Sequence, residues 1–141
     1  MKVNFNRLIP ELSVSDFERS LWFYTKVIGF SIAYQRPEHH FAFITLEGSQ
    51  IMIEQHNGYW DTGVLEYPYG RGINLSIEVE KLDNILESMH KHNLPIKLGP
   101  EEHWYRNREE KTGDKEVLIL DPDGYLLRFV EHLGSEPVET Q

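Results

Sequence analysis

A chain of 141 residues, 40% apolar and 12% aromatic, can bury roughly 70% of its unfolded surface and so needs no covalent staple. It has no cysteine, which excludes a disulfide scaffold, a thiolate zinc site, an iron–sulfur cluster and a cysteine nucleophile. Fourteen Lys and Arg against 23 Asp and Glu give a net charge of −9, a balance that repels nucleic acid and anionic lipid and draws in cations.

Leu8 to Val14 reads as a strand, and Pro10 inside it places that strand at an edge or a hinge. Ser15-Asp16-Phe17-Glu18 has the form of a capping box with Ser15 as the cap. Phe17, Leu21, Tyr24 and Ile28 then mark one helical face, and Gly29 supplies the left-handed stop. Phe30–Gln35, His40–Leu46 and Gln50–Gln55 follow as strands, the last two joined by Glu47-Gly48-Ser49. From His56 to Gly72 the pattern fails, and this stretch reads as a linker. The same order then returns: a strand at Ile73–Val79, a helix buried through Leu82, Ile85, Leu86 and Met89, and a short strand at Pro95–Leu98. Val117–Leu120 and Tyr125–Glu131 make a hairpin across Asp121-Pro122-Asp123-Gly124. Gly99 to Gly113 reads as an irregular polar loop, and the tail from Gly134 to Gln141 as frayed.

The element order is βαβββ twice, a repeat of order rather than of residues. The expectation is an α+β fold of two modules, each a curved mixed sheet with one helix. One domain would span 1–141, with module 1 at 6–55, a linker at 56–72 and module 2 at 73–133. A sheet covered by a helix on one face leaves the other face free for a ligand.

Three segments carry a resemblance. RLIPELSVSDFERSLWFYTKVIGF resembles the opening strand and helix of the vicinal oxygen chelate superfamily, LDPDGYLLRFVE resembles its closing hairpin, and GRGINLSIEV its middle strand. The superfamily includes glyoxalase I, extradiol dioxygenases, fosfomycin-modifying enzymes and bleomycin resistance proteins. The resemblance implies four metal-ligand positions, which fall here on Ile9, Glu54, Asn74 and Arg128. Ile9 has no donor atom, Asn74 is a poor ligand and Arg128 is a permanent cation, so only Glu54 suits a metal. That pattern is similar to the metal-free bleomycin resistance proteins, whose hinge proline falls on Pro10. It implies no cofactor, no metal and no catalytic residue. It also implies a homodimer, with possible exchange of the first strand at Pro10, that sequesters a cationic aromatic small molecule such as a bleomycin-type antibiotic.

The candidate ligand-binding residues follow from this reading. Trp60, Trp104 and Tyr105, in polar stretches without a core pattern, are expected to stack on planar rings. Asp61, Glu101 and Glu102 would meet positive charge, and His103 lies beside them in sequence. Phe41 and Phe43 share one strand face, which lies either under the helix or on the ligand side. Glu54 and Arg128 hold corresponding places in the two modules and are expected to form an ion pair where the enzymes hold metal. Trp22 is expected to be packing. The histidines lack chelate spacing: His39 and His40 point to opposite faces, and His90 and His92 diverge on a helix. No serine lies in a nucleophile elbow, and Arg71 between two glycines reads as a turn.

One alternative is a metal-dependent lyase or isomerase with Glu54 as general base and metal recruited through His103 or His132. Another is a binder of an endogenous metabolite. No run approaches the ~18 apolar residues of a membrane span, and MKVNFNRLIPEL lacks the charged-then-apolar pattern of a signal peptide. A cytoplasmic location is expected, without nucleic-acid or membrane partners.

Overall fold

The computed structural model describes residues 2–138. Strand β1 (Glu11–Val14) leads into helix α1 (Phe17–Trp22), which continues as a π-helical segment, Phe23–Ile28. Strand β2 (Ser31–Arg36), a 3-10 turn at Pro37–His39, β3 (Phe41–Leu46) and β4 (Ser49–Gln55) complete the first unit. The second unit runs through β5 (Asn74–Glu78), α2 (Asp83–Lys91), β6 (Leu98–Asn107), β7 (Glu110–Leu120) and β8 (Leu126–Pro137). The two four-stranded sheets have the same order, β1-β4-β3-β2 and β5-β8-β7-β6, with one parallel pair each, β1 with β4 and β5 with β8. The α+β architecture of two mixed sheets with one helix each is thus as the sequence predicts. None of the described helices is long and apolar enough to cross a membrane.

The start of α1 differs from the expected capping box. Asp16, not Ser15, caps the helix, its carboxylate accepting from the Arg19 N–H at 3.2 Å. Ser15 is engaged elsewhere: its N–H donates to Asp123 at 3.0 Å and its hydroxyl donates to the same carboxylate. Gln55 holds the entry to the helix, accepting from the Phe17 N–H at 2.9 Å and donating to the Ser15 carbonyl at 2.9 Å. The π-helical turn brings Phe23, Tyr24, Val27 and Ile28 all into the interior. Gly29, at φ 112°, ends it as predicted. Trp22, the last residue of α1 before this turn, is 42% exposed and meets His92 edge-on.

One core serves both units. Val14, Ile44 and Ile53 from the first sheet join Ile77, Ile119 and Phe129 from the second, with Tyr24 and Val27 of the first helix and Leu82, Ile85 and Met89 of the second. Polar ties reinforce the junction. The Tyr24 hydroxyl donates to Asp121 at 2.6 Å and the Tyr125 hydroxyl donates to the Ser13 carbonyl at 2.9 Å. Burial pushes the Asp121 carboxyl up to about 6, although the Tyr24 hydroxyl and two backbone N–H groups favour its charged form. Burial beside Asp121 likewise raises Tyr24 well above its usual range and Tyr125 to about 12.

The largest departure lies between Gly99 and Gly113. This stretch is not a loop but the ends of two long strands, β6 and β7, paired as far as Asn107 with Glu110. The tail is also ordered further than expected, since β8 reaches Pro137 opposite Glu110. The last three residues, 139–141, lie outside the described residues.

Candidate functional site

Side chains alternate across a strand, so each sheet has a core face and an open face. In the first sheet Ala42 and Ile44 belong to the core, which puts Phe41 and Phe43 on the open face. Both are nonetheless buried, because an aromatic cluster covers them. Tyr34 stacks on Phe43 at 5.1 Å, Phe5 meets Phe43 edge-on at 5.4 Å, and the Arg36 guanidinium lies 4.1 Å over the Phe41 ring. The segment that carries Phe5 is strapped down: the Asn6 N–H donates to the Gln50 side chain at 2.7 Å, and Gln50 donates to the Asn4 carbonyl at 2.6 Å.

Glu54 stands opposite Phe41 on the same face, and Glu11 lies diagonally across β1 from it. Partial burial raises the Glu11 carboxyl above its usual range, Glu54 adds to the rise, and Arg36 offsets it. The open face of the first sheet thus offers aromatic rings beside two neighbouring carboxylates.

The open face of the second sheet is polar. Arg128 donates through Nε to the Asn74 side chain at 3.0 Å and pairs with Glu116 at 3.5 Å. His103 lies 3.6 Å from Glu101 and 4.0 Å from Glu116. The His103 and Tyr105 rings are 6.2 Å apart, and Tyr105 is 53% exposed. Glu101, His103, Tyr105, Glu116 and Arg128 therefore form one continuous surface.

Several sequence-predicted site residues do not join it. Trp104 and Tyr105 are strand neighbours and point to opposite faces. Trp104 lies over Gly113 on the core side, and Glu102 shares that side. Trp60 packs edge-on against Tyr59 at 4.6 Å in the linker, and Asp61 is taken up by His56 at 2.9 Å. The expected ion pair does not form within the chain: Arg128 is held by Glu116 and Asn74, while Glu54 accepts from Asn57 at 3.3 Å. Sequence reasoning missed Glu11, Tyr34, Phe5 and Glu116. The alternation of Glu116 against the apolar run Val117–Ile119 was the available signal for the last.

Residues 5–129 match the Glyoxalase/Bleomycin resistance protein/Dioxygenase superfamily. The chain belongs to that superfamily. A superfamily member from Vibrio splendidus 12B01 is 30% identical over 87% of this chain and 95% of its own, with a TM-score of 0.41. TioX from Micromonospora sp. ML1 is 17% identical, with 92% and 100% of the chains covered and a TM-score of 0.70. A glyoxalase/bleomycin resistance protein/dioxygenase from Alicyclobacillus acidocaldarius is 18% identical over 95% and 96%, with a TM-score of 0.62. The last two likenesses are likenesses of fold. No curated protein matches the sequence.

Many members of this superfamily hold a divalent metal, and the donor set here does not fit one. Two of the four positions, Asn74 and Arg128, are hydrogen-bonded to each other. The Arg128 guanidinium puts a fixed positive charge at one of the positions where the resemblance implies a metal ligand. Among the described residues no group of three His, Asp or Glu side chains is arranged to hold a metal ion.

Proposed function

We propose that this chain is a metal-independent small-molecule binder of the superfamily, acting in the cytoplasm as a homodimer. It holds a planar, cationic molecule, such as a bleomycin-type antibiotic, and protects by sequestration. The Arg128–Asn74 bond carries the reading, because it ties together two of the four positions at which the family resemblance implies metal ligands, leaving a self-satisfied organic pair there. The two open faces suit such a ligand in complementary ways. Glu11 and Glu54 offer charge beside aromatic rings on the first sheet, and Tyr105, His103 and Glu101 offer a stacking edge with a carboxylate on the second. In the proposed dimer the first face of one copy closes over the second face of its partner, with Pro10 as the hinge for exchange of the first strand. Trp60, Asp61, Trp104 and Glu102 are not part of this site.

The test is calorimetric titration of the chelator-treated full chain with bleomycin. Saturable binding at one ligand per subunit is expected, unchanged by added zinc or nickel. Glu54→Gln and Tyr105→Ala are each expected to weaken it at least tenfold. Absence of heat, or binding that appears only with added metal, would overturn the reading.

A further inference from the structure

Where α1, the end of α2, the linker at Tyr67 and the hairpin at Leu120–Pro122 meet, the chain has a pocket of about 300 Å³ that shares no residue with either open face. Trp22 of α1, Met89 of α2, Leu94 and Leu120 supply apolar walls, while Arg19 and Lys97 stand among the lining residues as cations. Asp121 also borders it, yet its carboxylate is turned to the Tyr24 hydroxyl and the N–H groups of Asp123 and Tyr125. The pocket therefore presents apolar surface and positive charge in a chain whose net charge is −9.

We infer that this pocket is a binding site for a small apolar monocarboxylate, with the acid group between Arg19 and Lys97 and the hydrocarbon body against Trp22, Met89, Leu94 and Leu120. Three observations converge on that class. The volume lies at the low end for small-molecule sites, which suits one ring or a short chain. Two cations on separate elements give a carboxylate charge-assisted partners that a neutral analogue lacks. Trp22, an indole 42% exposed, has a large apolar surface that a hydrocarbon body would cover. The inference is independent of the function proposed for the open faces.

The experiment titrates the full chain with octanoate and, in parallel, with 1-octanol, reading heat and tryptophan emission. Octanoate is expected to bind one per chain, at least tenfold tighter than 1-octanol. Arg19→Gln with Lys97→Gln, both exposed and so safe for folding, is expected to erase that tenfold difference. Trp22→Phe is expected to abolish the emission change while the heat persists. Equal affinity for acid and alcohol, a preference that survives the double substitution, or no binding would overturn the inference. So would Trp22 emission that responds to protein concentration and not to octanoate, since a second copy would then be the occupant.

Discussion

The Tyr24 hydroxyl reaches Asp121 at 2.6 Å across the junction of the two units, joining the π-helical turn of one to the closing hairpin of the other. Both groups are buried. Tyr24→Phe leaves the carboxylate one donor short inside the protein, at a cost of about 1–3 kcal/mol. The urea midpoint is expected to fall accordingly, with secondary structure retained by circular dichroism.

The same carboxyl makes stability depend on pH. Its folded pKa, about 6, lies above the ordinary 3.8, so between these values the native state holds a proton that the unfolded chain has released. Stability from this group is full below about pH 4, declines as pH rises, and is lost above about pH 6. A rise of about two units corresponds to about 3 kcal/mol. Asp121→Asn does not titrate, so its stability relative to the native chain is expected to improve by up to that amount from pH 4 to 6.5. A difference constant over that range, measured by denaturant melts, would refute this assignment.

Phe43 and Phe5 touch, but their energies are expected to differ sharply. Phe43 is fully buried and stacked on Tyr34, and Phe43→Ala is expected to cost about 3–5 kcal/mol. Phe5 is 60% exposed and offers mainly an edge contact, so Phe5→Ala is expected to cost only about 0.5–1.5 kcal/mol. Paired denaturation curves measure both.

Gly113 has no room for a methyl group as things stand, since an added Cβ would lie 2.6 Å from the Trp104 ring. Trp104 is part-exposed and sits on a strand, so it can swing aside. Gly113→Ala is expected to shift Trp104 emission to the red while changing stability by less than about 1 kcal/mol. An unchanged spectrum would contradict the placement of that indole.

Arg128 is a surface-accessible cation with two partners. Arg128→Ala is expected to change stability by no more than about 1 kcal/mol, the ordinary worth of an exposed pair. A loss of several kcal/mol in thermal melts would mark it as a buried charge.

The order of elements was legible because core positions repeat at helical or strand spacing: Tyr24 and Ile28 on one helix, Ile85 and Met89 on the other, Val117 and Ile119 on a strand. The outer parts of β6 and β7 were not, because Glu101–Asn107 has solvent on both faces and so no apolar alternation to read. Periodicity records what is buried, and a strand that extends past the core leaves no such record. The candidate site was legible only in part, for the same reason. Phe41 and Phe43 read as a pair sharing one face. Both faces of this strand are buried, the open one because Tyr34, Phe5 and Arg36 from other segments cover it, so burial pattern alone could not say which face the pair takes. Glu54 and Arg128 were matched by analogy between modules, whereas their partners are set by neighbours on their own sheets. Trp104 and Tyr105 fall on opposite faces because their stretch is a strand, which a reading of it as a polar loop does not reveal.

The shared interior has a consequence for the duplicated plan. Each half carries the full set of elements for its own sheet, yet the apolar faces of both helices and both sheets share one buried cluster. A cut in the linker would therefore yield fragments that are each short of a partner and that fold on meeting, and the intact chain would melt in one transition. The repeat has become a division of labour within one cooperative unit, with two outward surfaces free to diverge in chemistry while the inner ones hold each other in place.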